Sequence, residues 1–188
     1  MRYSIRFNRL LAAGIVAAVA AVGPLAQVAP AEPAGPDVPS TIAVGDGFKV
    51  FMVGHAVGVQ IYSCGTTSTG YAWSFVAPRA DLYGDNGQLV ATHFGGPTWQ
   101  ALDGSTVRAK RDQGVTVDPT AIPWLLLSKD SVTAGPDGAR LTSTAFIQRT
   151  ATTGGLAPAA AECNAGSAGD IVEVPYTADY WFWKATAG

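Results

Sequence analysis

Short stretches in which apolar residues alternate with other residues follow one another along most of this chain. Residues 57–64 read VGVQIYSC, with valine or isoleucine at the first, third and fifth positions. A period of two is typical of a β-strand with two different faces. Comparable stretches lie at residues 48–53, 72–76, 88–94, 98–102, 106–110, 141–150, 171–174 and 179–184. The run Trp124–Leu127 is too short to distinguish a strand from a buried helix.

Turn-forming residues separate these stretches. Gly84–Gly87 reads GDNG, and Asp103-Gly104 and Pro136–Gly138 mark two later turns. A loop rich in Ala, Gly and Pro covers residues 154–169, with one helical turn expected at Ala159–Cys163. We therefore predict an all-β domain with little helix. It would be an antiparallel β-sandwich or a small closed β-barrel of about eight or nine strands.

The N-terminal region has a different pattern. Three cations and no acid precede the apolar run Leu10–Val22, and an A-x-A site follows at Ala29–Ala31. These are features of a secretory signal peptide, although an uncleaved anchor shares them. The apolar run is shorter than the roughly 20 residues of a membrane span. We predict a signal peptide at residues 1–31 and a secreted or periplasmic protein with no stable membrane span after cleavage.

The remaining chain divides into two predicted parts. Residues 32–40 contain three prolines and no periodic pattern, which predicts an extended tether. Residues 41–188 form a single β-rich domain.

Composition and charge narrow the function classes. The 188 residues are 48% apolar and 14% charged, which is not typical of a disordered chain. After residues 1–31 are removed, nine cations and 14 acids remain, a net charge of −5. This charge disfavours nucleic acid and anionic lipid as partners. No nucleotide-binding motif occurs, and two His and two Cys are too few for a zinc finger or an iron–sulfur cluster, so we predict no cofactor.

The two cysteines, Cys64 and Cys163, are expected to form one disulfide in an exported protein. Two free buried thiols are the alternative. A redox-active role is disfavoured because no C-x-x-C motif is present.

Seven motifs, in order, resemble those of an uncharacterised family of secreted bacterial and fungal proteins catalogued as domain of unknown function 3455. The motifs lie at residues 58–64, 77–82, 93–99, 103–107, 122–126, 147–155 and 174–180. The likeness runs from about Gly58 to Trp183. It implies a shared fold and export, and it implies no particular reaction.

The candidate site centres on His93, which ends a predicted strand before a Gly-Gly-Pro turn where the backbone can approach a ligand. Trp99, Asp103 and Ser105 follow within a few residues. We expect an imidazole, an indole, a carboxylate and a hydroxyl to converge at one rim. Arg149 either fastens a loop or presents its guanidinium to an anionic ligand.

The tryptophans offer a second clue, because exposed indoles stack on sugar rings whereas most aromatic residues of small domains fill the core. Trp99 is the one that we expect to be exposed. Alternation places Trp181 and Trp183 on one face of the last strand and Tyr180 and Phe182 on the other.

These observations favour an exported, non-catalytic binding protein for a carbohydrate or a small amphiphile, held near His93, Trp99, Asp103, Ser105 and Arg149. The first alternative is a hydrolase-like enzyme in which His93 acts with Asp103 and Ser105. The second is a structural envelope or matrix protein. We predict no metal site, because His55 and His93 would need distant carboxylates such as Asp81.

Overall fold

A computed structural model describes Met1 and residues 33–186. The chain divides into two units, Met1–Pro30 and Ala31–Gly188, and the architecture below belongs to the second. The signal peptide predicted at residues 1–31, with its cleavage site, lies outside the described residues apart from Met1. Within the described part, no helix has the length and apolar character needed to cross a membrane.

Eight antiparallel strands form one sheet that closes into a barrel. The strands are β1 (Phe48–Thr67), β2 (Gly70–Tyr83), β3 (Leu89–Phe94), β4 (Thr98–Ala101), β5 (Thr106–Val115), β6 (Trp124–Thr133), β7 (Phe146–Gly154) and β8 (Ile171–Ala185). Each strand pairs with the next along the chain, and β8 returns to pair with β1. Two short 3₁₀ helices, Ser40–Ile42 and Ala160–Glu162, are the other elements among the described residues. The predicted all-β class is confirmed, and of the two architectures the barrel is the one formed.

Several stretches predicted as separate strands are continuous. The expected break at residues 54–56 lies within β1, where Gly54 faces inward and leaves room for Leu82, whose Cδ2 would lie 2.8 Å from an added Cβ. Strand β2 continues through Pro78, and β8 continues through Pro175. Both prolines lie where the strand pairs only with β1, an edge-like position that tolerates a missing N–H.

The up-and-down order gives the barrel two different ends. The end that holds the β2–β3, β4–β5 and β6–β7 connections is called the closed end here, and the opposite end is called the open end. Leu141 in the β6–β7 connection is fully buried at the closed end. Inward side chains of the strands fill the space beside it, among them Met52, Leu82, Val107, Ile147 and Phe182.

The predicted facing of the last strand is confirmed. Tyr180 and Phe182 are buried in the core, whereas Trp181 and Trp183 belong to the outer face. There the Trp183 Nε1–H donates a hydrogen bond to Gln148 Oε1 at 2.8 Å. Of the tether predicted at residues 32–40, residues 33–39 contain no helix or strand and Ser40 begins the first 3₁₀ helix, while Gly35 lies beside Trp183 on this face. A Cβ added at Gly35 would come within 2.5 Å of Cη2 of Trp183.

The disulfide expected between Cys64 and Cys163 is present and joins residues 99 positions apart. Cys64 lies near the end of β1, and Cys163 follows the second 3₁₀ helix in the β7–β8 connection. Two backbone hydrogen bonds of Cys64, with Gly169 and Asp170, reinforce the same junction. The disulfide therefore fastens the longest open-end connection to the barrel wall.

Candidate ligand-binding cavity

A cavity of about 160 Å³ opens at the open end of the barrel. Its wall is mainly apolar and aromatic, and it also contains two arginines, a histidine and a glutamine. The lining residues are Gln60, Phe75, Val76, Pro78, His93, Gly96, Pro97, Trp99, Arg111, Leu125, Leu127, Arg149 and Tyr180. Three of the predicted site residues, His93, Trp99 and Arg149, therefore line one cavity.

His93 and Trp99 form a stacked pair inside the barrel. They lie opposite each other in the β3–β4 register, and the turn between the strands includes Gly96, whose φ of +96° favours glycine. The ring centroids are 4.1 Å apart, and the planes differ by 8°. Tyr180 contacts the imidazole edge-on at 5.1 Å.

The expectation that Trp99 is exposed is wrong. The residue is 1% exposed, because the short hairpin directs both partners of the stack into the barrel. None of the five tryptophans belongs to the exposed class. Trp99 therefore offers no surface on which a sugar chain could stack.

Burial keeps the His93 imidazole neutral. Its Nδ1–H donates a hydrogen bond to the Thr98 carbonyl oxygen at 2.9 Å, which leaves Nε2 with the acceptor lone pair. Burial lowers the pKa of His93 to about 3, opposed by the hydrogen bond to Thr98 and aided by the positive charge of Arg149. His93 therefore carries no charge at neutral pH.

Two buried N–H groups on the cavity wall lack hydrogen-bond partners. They are Nε1 of Trp99 and Nε2 of Gln60. The Gln60 amide lies near enough to the Tyr176 hydroxyl to oppose the rise that burial causes in the pKa of Tyr176, but it makes no well-formed hydrogen bond. Unpartnered buried donors cost stability, and an acceptor that reached them would remove that cost.

Arg149 contributes a positive charge to the cavity wall. Its Nε and Nη2 donate hydrogen bonds to the Pro123 carbonyl oxygen at 3.1 and 2.7 Å. Burial raises the pKa of Tyr180, and the Arg149 guanidinium opposes that rise. Arg111 is exposed and lies at the mouth. No carboxylate is among the lining residues, so the charged groups of the wall are both cations.

Asp103 and Ser105 lie elsewhere, in the β4–β5 turn at the closed end. The Ser105 hydroxyl donates to Asp103 Oδ1 at 2.6 Å and accepts from the Leu141 N–H at 3.1 Å. The Arg140 N–H donates to Asp103 Oδ2 at 2.8 Å. The hydrogen bond from the Ser105 hydroxyl is the main cause that lowers the pKa of Asp103, and the hydrogen bond from the Arg140 backbone N–H is the second. The expected convergence with His93 at one rim is therefore not met, because these two residues instead fasten the β6–β7 connection.

His55 has partners that its sequence context does not predict. On the outer face its Nδ1 lies 2.6 Å from Asp179 Oδ1, and its Nε2 lies 2.9 Å from Asp85 Oδ1. Hydrogen bonds to Asp85 and then Asp179 raise the pKa of His55. The carboxylates lie on opposite sides of the ring and do not converge on a point. No group of three or more potential metal-ligating side chains occurs among the described residues.

Sequence comparison assigns the chain that forms this cavity to a family. A family model described as "Protein of unknown function (DUF3455)" matches residues 45–184, which include every strand almost entirely. The chain belongs to the DUF3455 family. No curated protein and no solved structure matches it. The family match begins before the resemblance seen at Gly58 and confirms that resemblance.

Gln60, Arg111 and Tyr180 were not predicted as site residues of this DUF3455 domain. In residues 57–64 the apolar positions suggest the buried face, but Val57 is 59% exposed and Gln60 faces inward. The alternation is present with the opposite polarity, because Gln60 lies on the cavity side of β1 and Val57 on the outer side. A glutamine on an otherwise apolar strand is the signal that could have indicated it.

Acid should destabilise this DUF3455 domain through His93. The unfolded state takes up a proton near pH 6.5, whereas the native state does so only near pH 3, so stability falls as pH drops between these values. We expect a loss of about 2 kcal/mol from pH 7 to pH 5, measured by urea unfolding.

The control for this prediction is His93→Phe, which keeps a stacking ring and should lose less stability over the same range. His55 acts in the opposite direction, because a raised pKa stabilises the native state at low pH and the effect disappears as pH rises. Both proteins should therefore carry His55→Gln. If the free energy of unfolding depends on pH equally in the parent and in His93→Phe, the loss of stability in acid is not due to His93.

Proposed function

We propose that this protein is an exported, non-catalytic binding protein that holds one small amphiphilic molecule in the open end of its barrel. The observation that carries this proposal is the cavity, whose apolar wall includes two buried donors without partners. Eight-stranded barrels are wide enough either to be filled by side chains or to hold one small ligand. Here the closed end is filled, and the open end has space.

The geometry favours binding over catalysis. A general base works best when its pKa is near the working pH, and His93, with a pKa of about 3, is a weak base. Asp103 and Ser105, the partners of the enzyme alternative, form hydrogen bonds to each other and to the β6–β7 connection. Neither is placed to orient the His93 ring, whose Nδ1 binds the Thr98 carbonyl.

The shape and size of the site favour a compact amphiphile over a glycan chain. A chain needs an open groove or a row of exposed rings, whereas this site is a pocket within the barrel. Its volume of about 160 Å³ is similar to that of an apolar protein cavity of roughly 150 Å³ that binds benzene. The bound body would therefore be about the size of a single six-membered ring.

Export is supported by the N-terminal sequence and by the disulfide. The basic segment, the apolar run and the A-x-A site are features of secretory signals. A disulfide such as Cys64–Cys163 persists in oxidising compartments and is rare in the cytosol. Mass spectrometry of the protein recovered outside the cytoplasm should give a chain beginning at Glu32. A full-length mass would contradict cleavage.

Filling the cavity should abolish binding. Leu125 lines the pocket and is half-buried, so Leu125→Trp places an indole in the space available to the ligand. With benzyl alcohol as a neutral probe, we expect the ¹H–¹⁵N signal of the Trp99 indole to shift in the parent protein. The variant should bind at least about tenfold more weakly, since an occupied pocket offers no apolar surface to bury.

The matched control is Leu102→Trp, which adds the same side chain at an exposed position at the closed end. It should bind the probe as the parent does. Equal binding by Leu125→Trp, or no shift of the Trp99 signal at millimolar probe, would refute the proposed site.

A further inference from the structure

We infer that the ligand of this cavity is a compact carboxylic acid, bound as its anion, with the carboxylate on Arg149 and the apolar body against the aromatic wall. This inference rests on the proposed function and specifies its ligand class. The charge and the hydrogen-bond polarity of the cavity wall point to the carboxylate, and the size of the cavity points to the compact body.

The charge of the cavity is uncompensated. Arg149 is half-buried, and no ion pair within 4.0 Å joins it to a carboxylate among the described residues. Elsewhere in the barrel, Arg79 pairs with Glu173 at 2.7 Å and Arg108 pairs with Asp130 at 3.5 Å, both on the exposed surface. A partly buried cation without an anion is costly, and the cost falls when an anion enters.

Arg149 is also held in place before any ligand binds, by Pro123 and by an interaction with the Tyr180 hydroxyl. The Pro123 carbonyl oxygen accepts hydrogen bonds from Nε and Nη2, which fixes the plane of the guanidinium and leaves Nη1 outside that contact. Arg111 adds a second positive charge at the mouth of the same cavity. An arginine that is already held in place loses little side-chain freedom when it binds a carboxylate.

The hydrogen-bond polarity of the wall agrees with the charge. Trp99 Nε1 can only donate and has no partner, and the Gln60 Nε2–H makes no well-formed hydrogen bond, so an acceptor would improve the pairing of both. A carboxylate has two oxygens that only accept and can serve several donors at once. An ammonium ligand would instead place its positive charge beside those of Arg149 and Arg111.

The size of the cavity sets the scale of the acid. About 160 Å³ holds a single ring beside the stacked face of His93 and Trp99 and the edge of Tyr180. Benzoate combines such a ring with one carboxylate, so it is the probe of choice. Benzamide has nearly the same shape without the charge, and benzylamine reverses the charge.

The test is titration of the parent protein with benzoate, benzamide and benzylamine, followed by the Trp99 indole signal. We expect benzoate to bind at least about tenfold more tightly than benzamide, and benzylamine to bind most weakly. Arg149→Gln should lower benzoate affinity until it no longer exceeds that of benzamide measured on the same variant. Arg149→Lys should restore part of the preference, because it keeps the charge and loses the planar fork.

Two further variants make the result decisive. Arg79→Gln removes an arginine of the outer face and should leave the preference intact. Arg111→Gln changes an exposed residue, and it should reduce benzoate affinity by a smaller factor even where Arg149→Gln fails to fold.

The outcomes separate this inference from the proposed function. If benzamide or benzylamine binds as tightly as benzoate, the anion inference is overturned and the binding function stands. If benzyl alcohol and benzamide bind but benzoate does not, the anion inference is likewise overturned and the binding function stands. If none of these probes binds, both fail together.

Discussion

The double variant Cys64→Ser/Cys163→Ser is expected to have a free energy of unfolding about 2–5 kcal/mol below that of the parent. We expect a value in the upper part of that range. The disulfide joins residues 99 positions apart, and closing a loop of about 100 residues corresponds to roughly 4.7 kcal/mol in the chain-entropy model. Urea unfolding of the variant and of the oxidised parent gives the difference directly. The reduced parent is the control and should match the variant.

The structure of the double variant should open first in the β7–β8 connection. Most of residues 156–169 are exposed, and Cys163 is the buried residue that ties them to β1. Hydrogen exchange should therefore accelerate in this connection at denaturant concentrations that leave β3–β5 protected. A uniform change throughout the barrel, or a total loss below about 1 kcal/mol, would contradict this role of the disulfide.

Trp99→Ala is expected to cost about 3–5 kcal/mol, because it removes a large and fully buried aromatic side chain. The indole contacts the rings of His93, Tyr180 and Phe182. Urea unfolding at pH 7 measures the loss. Trp99→Phe keeps an aromatic ring in the same place and should cost clearly less.

The same substitution should change the titration of His93. Without the stacked indole, water reaches the imidazole, and the pKa of His93 should rise from about 3 towards its ordinary value. NMR titration of the His93 ring in Trp99→Ala and in Trp124→Ala tests this, because Trp124 is half-buried and does not line the cavity. An unchanged His93 in Trp99→Ala would show that the stack does not set its environment.

Local features of the sequence predict most strands, because a period of two and turn residues are visible within a few positions. The closure of the barrel is not local, since it depends on pairing between β1 and β8, from Phe48 with Ala185 to Ser63 with Ile171. Continuity across Pro78 and Pro175 also depends on which neighbouring strand is present there. The sequence pattern alone therefore could not distinguish a closed barrel from a sandwich, and the strand pairing in the structure does.

The candidate site divides in the same way. His93 and Arg149 were identified by residue type and position, and both line the cavity. Asp103 and Ser105 are close to His93 in sequence, but the hairpin carries them to the opposite end of the barrel. Trp99 was expected at the surface because its turn is exposed, while strand register decides the direction of its side chain. Proximity in sequence is a poor guide where a strand separates the residues.

The pairing of β1 with β8 also determines how the molecule is presented to its surroundings. Phe48 lies beside Ala185, and the Thr186 N–H donates to the Gly47 carbonyl oxygen at 2.9 Å, so both ends of the barrel strands leave on the closed side. A label or a resin attached at residue 186 would therefore lie on the side opposite the mouth. Protein immobilised there should accept ligand as freely as protein in solution, and a permuted chain in which a linker joins residues 186 and 47 should keep the mouth unobstructed.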